Sequence, residues 1–154
     1  MINELLPQRI DNTYHGHKLA LWIFALVVSV KTLQGLMVIF NTSDIARSAD
    51  GFPLDTFAPA AAQAVVGLFA LLGLSLLILS LLCILVLVRY RSAISFMFTL
   101  LVLDYLARQL ILHFIPVVRI GKPPGLLLNF VLFSLMIVGT GLSLWNQHKP
   151  EAQG

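Results

Sequence analysis

Four polar side chains stand in otherwise oily surroundings: Lys31, Gln34, Asp104 and Arg108. An ammonium and a carboxylate can form an ion pair. A guanidinium four residues past the carboxylate lies on the same helix face. Gln34 adds donors and an acceptor beside Lys31. The four sum to +1, so either an anion or water and backbone carbonyls would complete them. The chemistry on offer is therefore ion pairing between helices or capture of an anionic or polar ligand. No set of residues suits bond-breaking. Cys83 is the sole cysteine, which excludes an internal disulfide and a paired redox thiol. The four histidines are 15, 17, 113 and 148, and only His113 lies in an apolar stretch. No metal-ligand spacing, nucleophile turn or glycine-rich phosphate loop occurs. No catalytic residue, metal site or cofactor is expected.

The elements that must position these residues follow from composition. The chain has 154 residues, 58% hydrophobic and 11% charged. A soluble domain carries roughly 25% charged residues. Mean hydropathy is +0.92. Ten Lys and Arg in all, with a net charge of +3, leave no clustered basic surface for nucleic acid. A polytopic membrane protein in a lipid bilayer remains. A span needs about 20 apolar residues, and four segments qualify, at about 19–40, 60–88, 92–118 and 126–147. The expected fold is all-α, a single domain, an antiparallel bundle of four transmembrane helices. The 22-residue apolar stretch of the first span exceeds a signal-peptide core of about 7–15 residues, so retention is expected.

Turn chemistry sets the breaks. Pro59 suits the first turn of span two. Arg89-Tyr90-Arg91 joins spans two and three in a tight hairpin. Pro116 and Gly121-Lys122-Pro123-Pro124-Gly125 end span three and open span four, a second tight hairpin. The long connection is 41–58. There Ser43 or Asp44 is expected to cap a short helix, and Phe52 and Phe57 to lie on the bundle mouth or the membrane surface.

Short-loop cations favour the cytoplasmic side. Arg9, Lys18, Arg89, Arg91 and Lys149 fall on one side. Arg47, Arg119 and Lys122, with Asp44, Asp50 and Asp55, fall on the other. Both termini are expected in the cytoplasm. Trp22, Tyr90 and Trp145 then share one interface.

A charge at mid-bilayer costs about 2.5–3.5 kcal/mol on the insertion scale, so it should face inward and be paired. Lys31 is 13 residues past Lys18, and Asp104 is 13 past Arg91. Both sit roughly 20 Å of helix from the same flank, which makes Lys31 and Asp104 an expected ion pair with Arg108 beside it. His113, nine residues past Asp104, falls on the opposite face. Tyr105 and Gln109 are placed for other helix contacts. Small residues, Ala60, Ala64, Gly67, Ala70 and Gly73, then Gly139 and Ser143, permit close helix approach.

Length and span number match the membrane glutathione-transferase and eicosanoid-synthase family. That family needs a charged second span, and span two here has none. Small multidrug transporters carry a Glu in span one, where this chain has Lys31. The chain resembles short four-span bacterial membrane proteins. The resemblance lies in Val30-Lys31-Thr32-Leu33-Gln34-Gly35, in Leu103-Asp104-Tyr105-Leu106-Ala107-Arg108-Gln109, and in Gly121-Lys122-Pro123-Pro124-Gly125. It extends over most of the chain and implies an inner-membrane helical bundle; none of the three phrases defines a chemistry. Two functions stay open. One is a non-enzymatic protein that binds or assembles with another membrane component or its own copies, with the charges as helix register or anion site. The other is a small oligomeric transporter or channel for an anionic or proton-coupled solute.

Overall fold

The computed structural model describes residues 12, 14, 16–121 and 123–145. Arg9, His15, Lys122, His148 and Lys149 lie outside them. The described chain is all-α, with no strand. Four long helices dominate: α1 (Lys18–Phe40), α2 (Pro59–Arg89), α3 (Ile94–Phe114) and α4 (Pro124–Trp145). All are long and apolar enough to cross a membrane. At 1.5 Å per residue, α1, α3 and α4 are about 32–35 Å long and α2 about 46 Å. Pro59 and Pro124 each open their helix, where a missing N–H breaks no bond. The His17 ring caps α1, its Nδ1 accepting from the Leu19 N–H at 3.1 Å. A short 3-10 turn, Arg91–Ala93, carries the chain from α2 into α3.

Helix α3 stops at Phe114, four residues short of the expected 118. Pro116 disfavours helical geometry at Ile115, and it has no N–H to continue the ladder. Residues 115–123 therefore form a longer connection, not a tight hairpin. The Ile120 N–H in it donates to the Gly51 carbonyl at 2.8 Å. Gly51 has φ +72, and a Cβ there would stand 2.9 Å from the Ile120 carbonyl oxygen, so glycine is needed on both counts.

Residues 41–58 fold as a turn at Thr42–Asp44, a π-helical stretch at Ile45–Ala49 and a 3-10 turn at Leu54–Thr56. Neither Ser43 nor Asp44 caps by its side chain, contrary to expectation. The chain runs on from α1 with only Asn41 between, and the Ile45 N–H, which a Ser43 cap could have used, bonds instead to the Asn41 carbonyl at 2.9 Å. Arg47 and Asp55 pair at 2.8 Å. The Phe52 ring meets Phe69 of α2 edge-on, 5.0 Å between centroids. Burial pushes the Asp50 carboxyl above its usual range, and nearby Arg119 opposes the shift.

Helix α1 packs most extensively on α2 and next on α4; α3 packs on α4, and α2 and α3 meet sparsely. Glycines set the closest approaches. A Cβ on Gly35 would stand 3.0 Å from the Leu77 backbone nitrogen, and one on Gly73 would stand 2.7 Å from Val38. Gly73 thus lies beside the last turns of α1, and residues 59–72 of α2 run beyond them. Gly139 of α4 receives the Phe98 ring of α3. That ring also packs edge-on against Phe24 of α1 at 4.9 Å, an arrangement worth about 0.5–1.5 kcal/mol beyond its buried area. At the same end of the helices, buried Ser95 and Ser143 hydroxyls are 2.6 Å apart, and the Tyr14 hydroxyl donates to Ser143 at 3.2 Å. Many large apolar side chains point outward, including Leu68, Leu71, Leu106 and Leu127. Gly67 and Gly141 face open space, so small residues mark contact in only part of the stripe.

Gly139→Val is expected to destabilise the fold by about 1–3 kcal/mol, because the added carbons occupy the site of the Phe98 ring. Unfolding in mild detergent measures this. A variant as stable as the parent would show that Phe98 does not seat there.

Candidate functional site

Where α2 and α3 pack loosely, a crevice opens against α1. Val28 and Lys31 of α1 form its floor, and Leu76, Leu79, Ser80 and Cys83 of α2 form one wall. Leu101 and Asp104 of α3 form the other. It has room for about one water molecule. Lys31 is 9% exposed, on the same buried face as Phe24, Val28 and Gly35. Asp104 lies near the middle of α3, ten residues from either end.

Asp104 is held by its own helix. The Arg108 Nε donates to both Asp104 carboxylate oxygens at 3.0 Å. The i,i+4 spacing places guanidinium and carboxylate one turn apart. Arg108 and Asp104 side chains keep 36% and 30% of their surface. The other Arg108 nitrogens take no hydrogen bond among the described residues. The expected Lys31–Asp104 pair is not closed: no ion pair within 4.0 Å joins them, although they share the crevice. A guanidinium on the same helix meets the carboxylate first. An ammonium across a helix interface must bridge the space that Leu76, Leu79 and Leu101 frame. Lys31 remains within electrostatic reach of both Asp104 and Arg108. It has no hydrogen bond among the described residues.

Gln34 turns away from this group. Its Nε2 donates to the Asn129 Oδ1 of α4 at 3.4 Å, a separate polar link between α1 and α4. Two of the four singled-out residues, Lys31 and Asp104, thus line one crevice, Arg108 joins them only through its bond to Asp104, and Gln34 lies apart. Tyr105 stacks on Phe133 of α4, with centroids 4.4 Å apart. His113 and Gln109 are exposed, and the His113 ring meets Phe114 edge-on. Cys83 is fully buried. Asn129, Ser95 and Tyr14 escape a reading that counts only charges. A search for uncharged amides and hydroxyls inside or beside apolar helices would find all three. The same search would also return Ser29, Thr32, Ser75, Ser80, Thr99, Ser134 and Thr140, which differ only in the structure, where each hydroxyl bonds back to its own helix.

Among the described residues no three His, Cys, Asp or Glu side chains stand together as metal ligands. No protein family, curated protein or solved structure matches the chain.

A double-mutant cycle reads the pairing directly. Asp104→Leu with Arg108→Met is expected to show a coupling of about 0.5–3 kcal/mol, larger than that of Asp104→Leu with Lys31→Met. Detergent unfolding of the six proteins supplies the numbers. Equal or greater coupling to Lys31 would overturn the assignment of Arg108 as the carboxylate's partner.

Proposed function

We propose that this chain is a non-enzymatic integral membrane protein that works by binding or assembling with another membrane component. In this reading the four helices form an antiparallel bundle in a bacterial inner membrane, with both termini cytoplasmic. The outward Leu, Ile and Val side chains face lipid tails. Helix α2, longer than the ~30 Å hydrocarbon core, tilts to fit.

One observation carries the proposal. The Asp104–Arg108 pair sits mid-helix, about one-third exposed, and among the described residues only the Nε of Arg108 has a hydrogen-bond acceptor. A charge held at that depth needs polar company. A side chain from a second copy or a partner helix would supply it where α2 and α3 part. The transporter reading draws on a different feature, the inward Lys31 and Asp104 lining one crevice.

The test uses the full chain in lipid nanodiscs. Native mass spectrometry is expected to find a defined oligomer or a retained partner, and Arg108→Gln is expected to reduce it to monomer. A monomer in the parent protein, or an assembly indifferent to Arg108→Gln, would count against the proposal. Cys83, the sole cysteine and part of the crevice wall, reports on transport. A membrane-impermeant maleimide is expected to leave it unlabelled; steady labelling from either side would favour a water-accessible path.

A further inference from the structure

We propose that the C-terminal half of α3 is the contact face of a homodimer, in which two copies pair their α3 helices in parallel and Arg108 of each donates to Asp104 of the other. This rests on the assembly reading and deepens it by naming the partner as a second copy of the chain. Spacing supplies the face. Leu100, Asp104, Ala107, Ile111 and Phe114 follow one another at steps of four, three, four and three residues. That rhythm keeps all five on one side of a helix and is the seam pattern of a left-handed helix pair. Leu100 and Asp104 are half-buried, and Ala107, Ile111 and Phe114 are exposed. The buried residues of α3 all lie at or before Leu101, and from 102 to 114 no side chain is buried. The half of the helix that carries the charges is thus the half the fold leaves uncovered. Ala107, in the middle of the seam, lets a second helix come close.

Charge names the occupant. Arg108 Nε donates to both Asp104 oxygens, and the other guanidinium nitrogens take no hydrogen bond among the described residues. The carboxylate oxygens keep lone pairs for further donors. An acid and a base one turn apart, with no net charge between them, are complementary to their own copy. Two copies inserted the same way hold these pairs at equal depth. The partner's Arg108 then lies one turn, about 5.4 Å, from Asp104 along the axis, the same step that Arg108 already spans within its own helix. Two carboxylates and two guanidiniums close a neutral ring of charge-assisted hydrogen bonds. A two-fold axis through the ring puts the same patch on both sides, as an isologous contact requires. A foreign helix would need its own acid and base at that depth, whereas a second copy carries them by construction.

The experiment is oxidative cross-linking of the full chain in lipid nanodiscs, with Cys83→Ala as background. Ala107→Cys and Ile111→Cys are expected to form disulfide-linked dimers several-fold more than Gln109→Cys and His113→Cys, which lie on the other side of α3. Charge reversal supplies a second readout. Asp104→Arg and Arg108→Asp are each expected to be monomeric alone, because like charges then meet across the seam. Co-expressed, they are expected to form a mixed dimer, since one chain presents only cations there and the other only anions. Cross-links that favour 109 and 113, or that ignore position, overturn the proposal; so do reversal variants that dimerise alone or fail to combine. If a reversal variant does not fold, the cross-linking pattern decides. Native mass spectrometry of the parent separates the two failures. A parent oligomer or a retained foreign chain, with no cross-link at 107 or 111, removes the α3 seam and leaves the assembly reading standing; a parent monomer removes both.

Discussion

A charged side chain midway along an apolar helix dictates which face of that helix turns inward. Lys31 does this for α1. Its burial fixes the rotation of the helix, so Phe24, Val27, Val28 and Gly35 face the interior while Leu26, Leu33 and Met37 face out. The cost of leaving the ammonium among lipid tails, about 2.5–3.5 kcal/mol or more, is as large as the contribution of any single pair of packed side chains. In a bilayer the apolar side chains of α1 would set the rotation only weakly, because lipid would solvate them as well as protein does.

Once that face is set, small residues decide how near the neighbours come. Gly35 and Gly73 bring α1 and α2 almost into backbone contact. Gly139 admits the Phe98 ring, which in turn touches Phe24, so α1, α3 and α4 meet at one point. Hydroxyls then close one end through Tyr14, Ser143 and Ser95. At the other end the 41–58 and 115–123 connections lock through the Ile120–Gly51 bond. Helices α2 and α3 lack such a device along most of their length. They separate, and the crevice beside Lys31 and Asp104 is the space this leaves.

Much of this was legible in the sequence. Long apolar runs located all four helices, two of them interrupted by charge, and Pro59 marked the start of α2. The inward turn of Lys31 and the shared face of Asp104 and Arg108 followed from helical spacing. Three things were not legible. Pro116 reads as a residue near the end of a helix, yet its effect on Ile115 ends α3 a turn earlier. Depth alone made Lys31 the natural partner of Asp104, but depth says nothing of lateral distance, and Arg108 on the same helix needs none. Gln34 shared a face with Lys31 by periodicity, yet a long side chain reaches sideways, and Asn129 on α4 offered an amide.

The central claim is that Lys31 faces the protein interior within a bilayer. Spin labels placed singly at positions 26 to 37 of α1, in lipid nanodiscs, measure it through collision with dissolved oxygen, which concentrates among lipid tails. Low collision rates at 27, 28, 31 and 35, alternating with high rates at 26, 33 and 37, are the expected result. A rate at 31 as high as that at 33 would contradict the account.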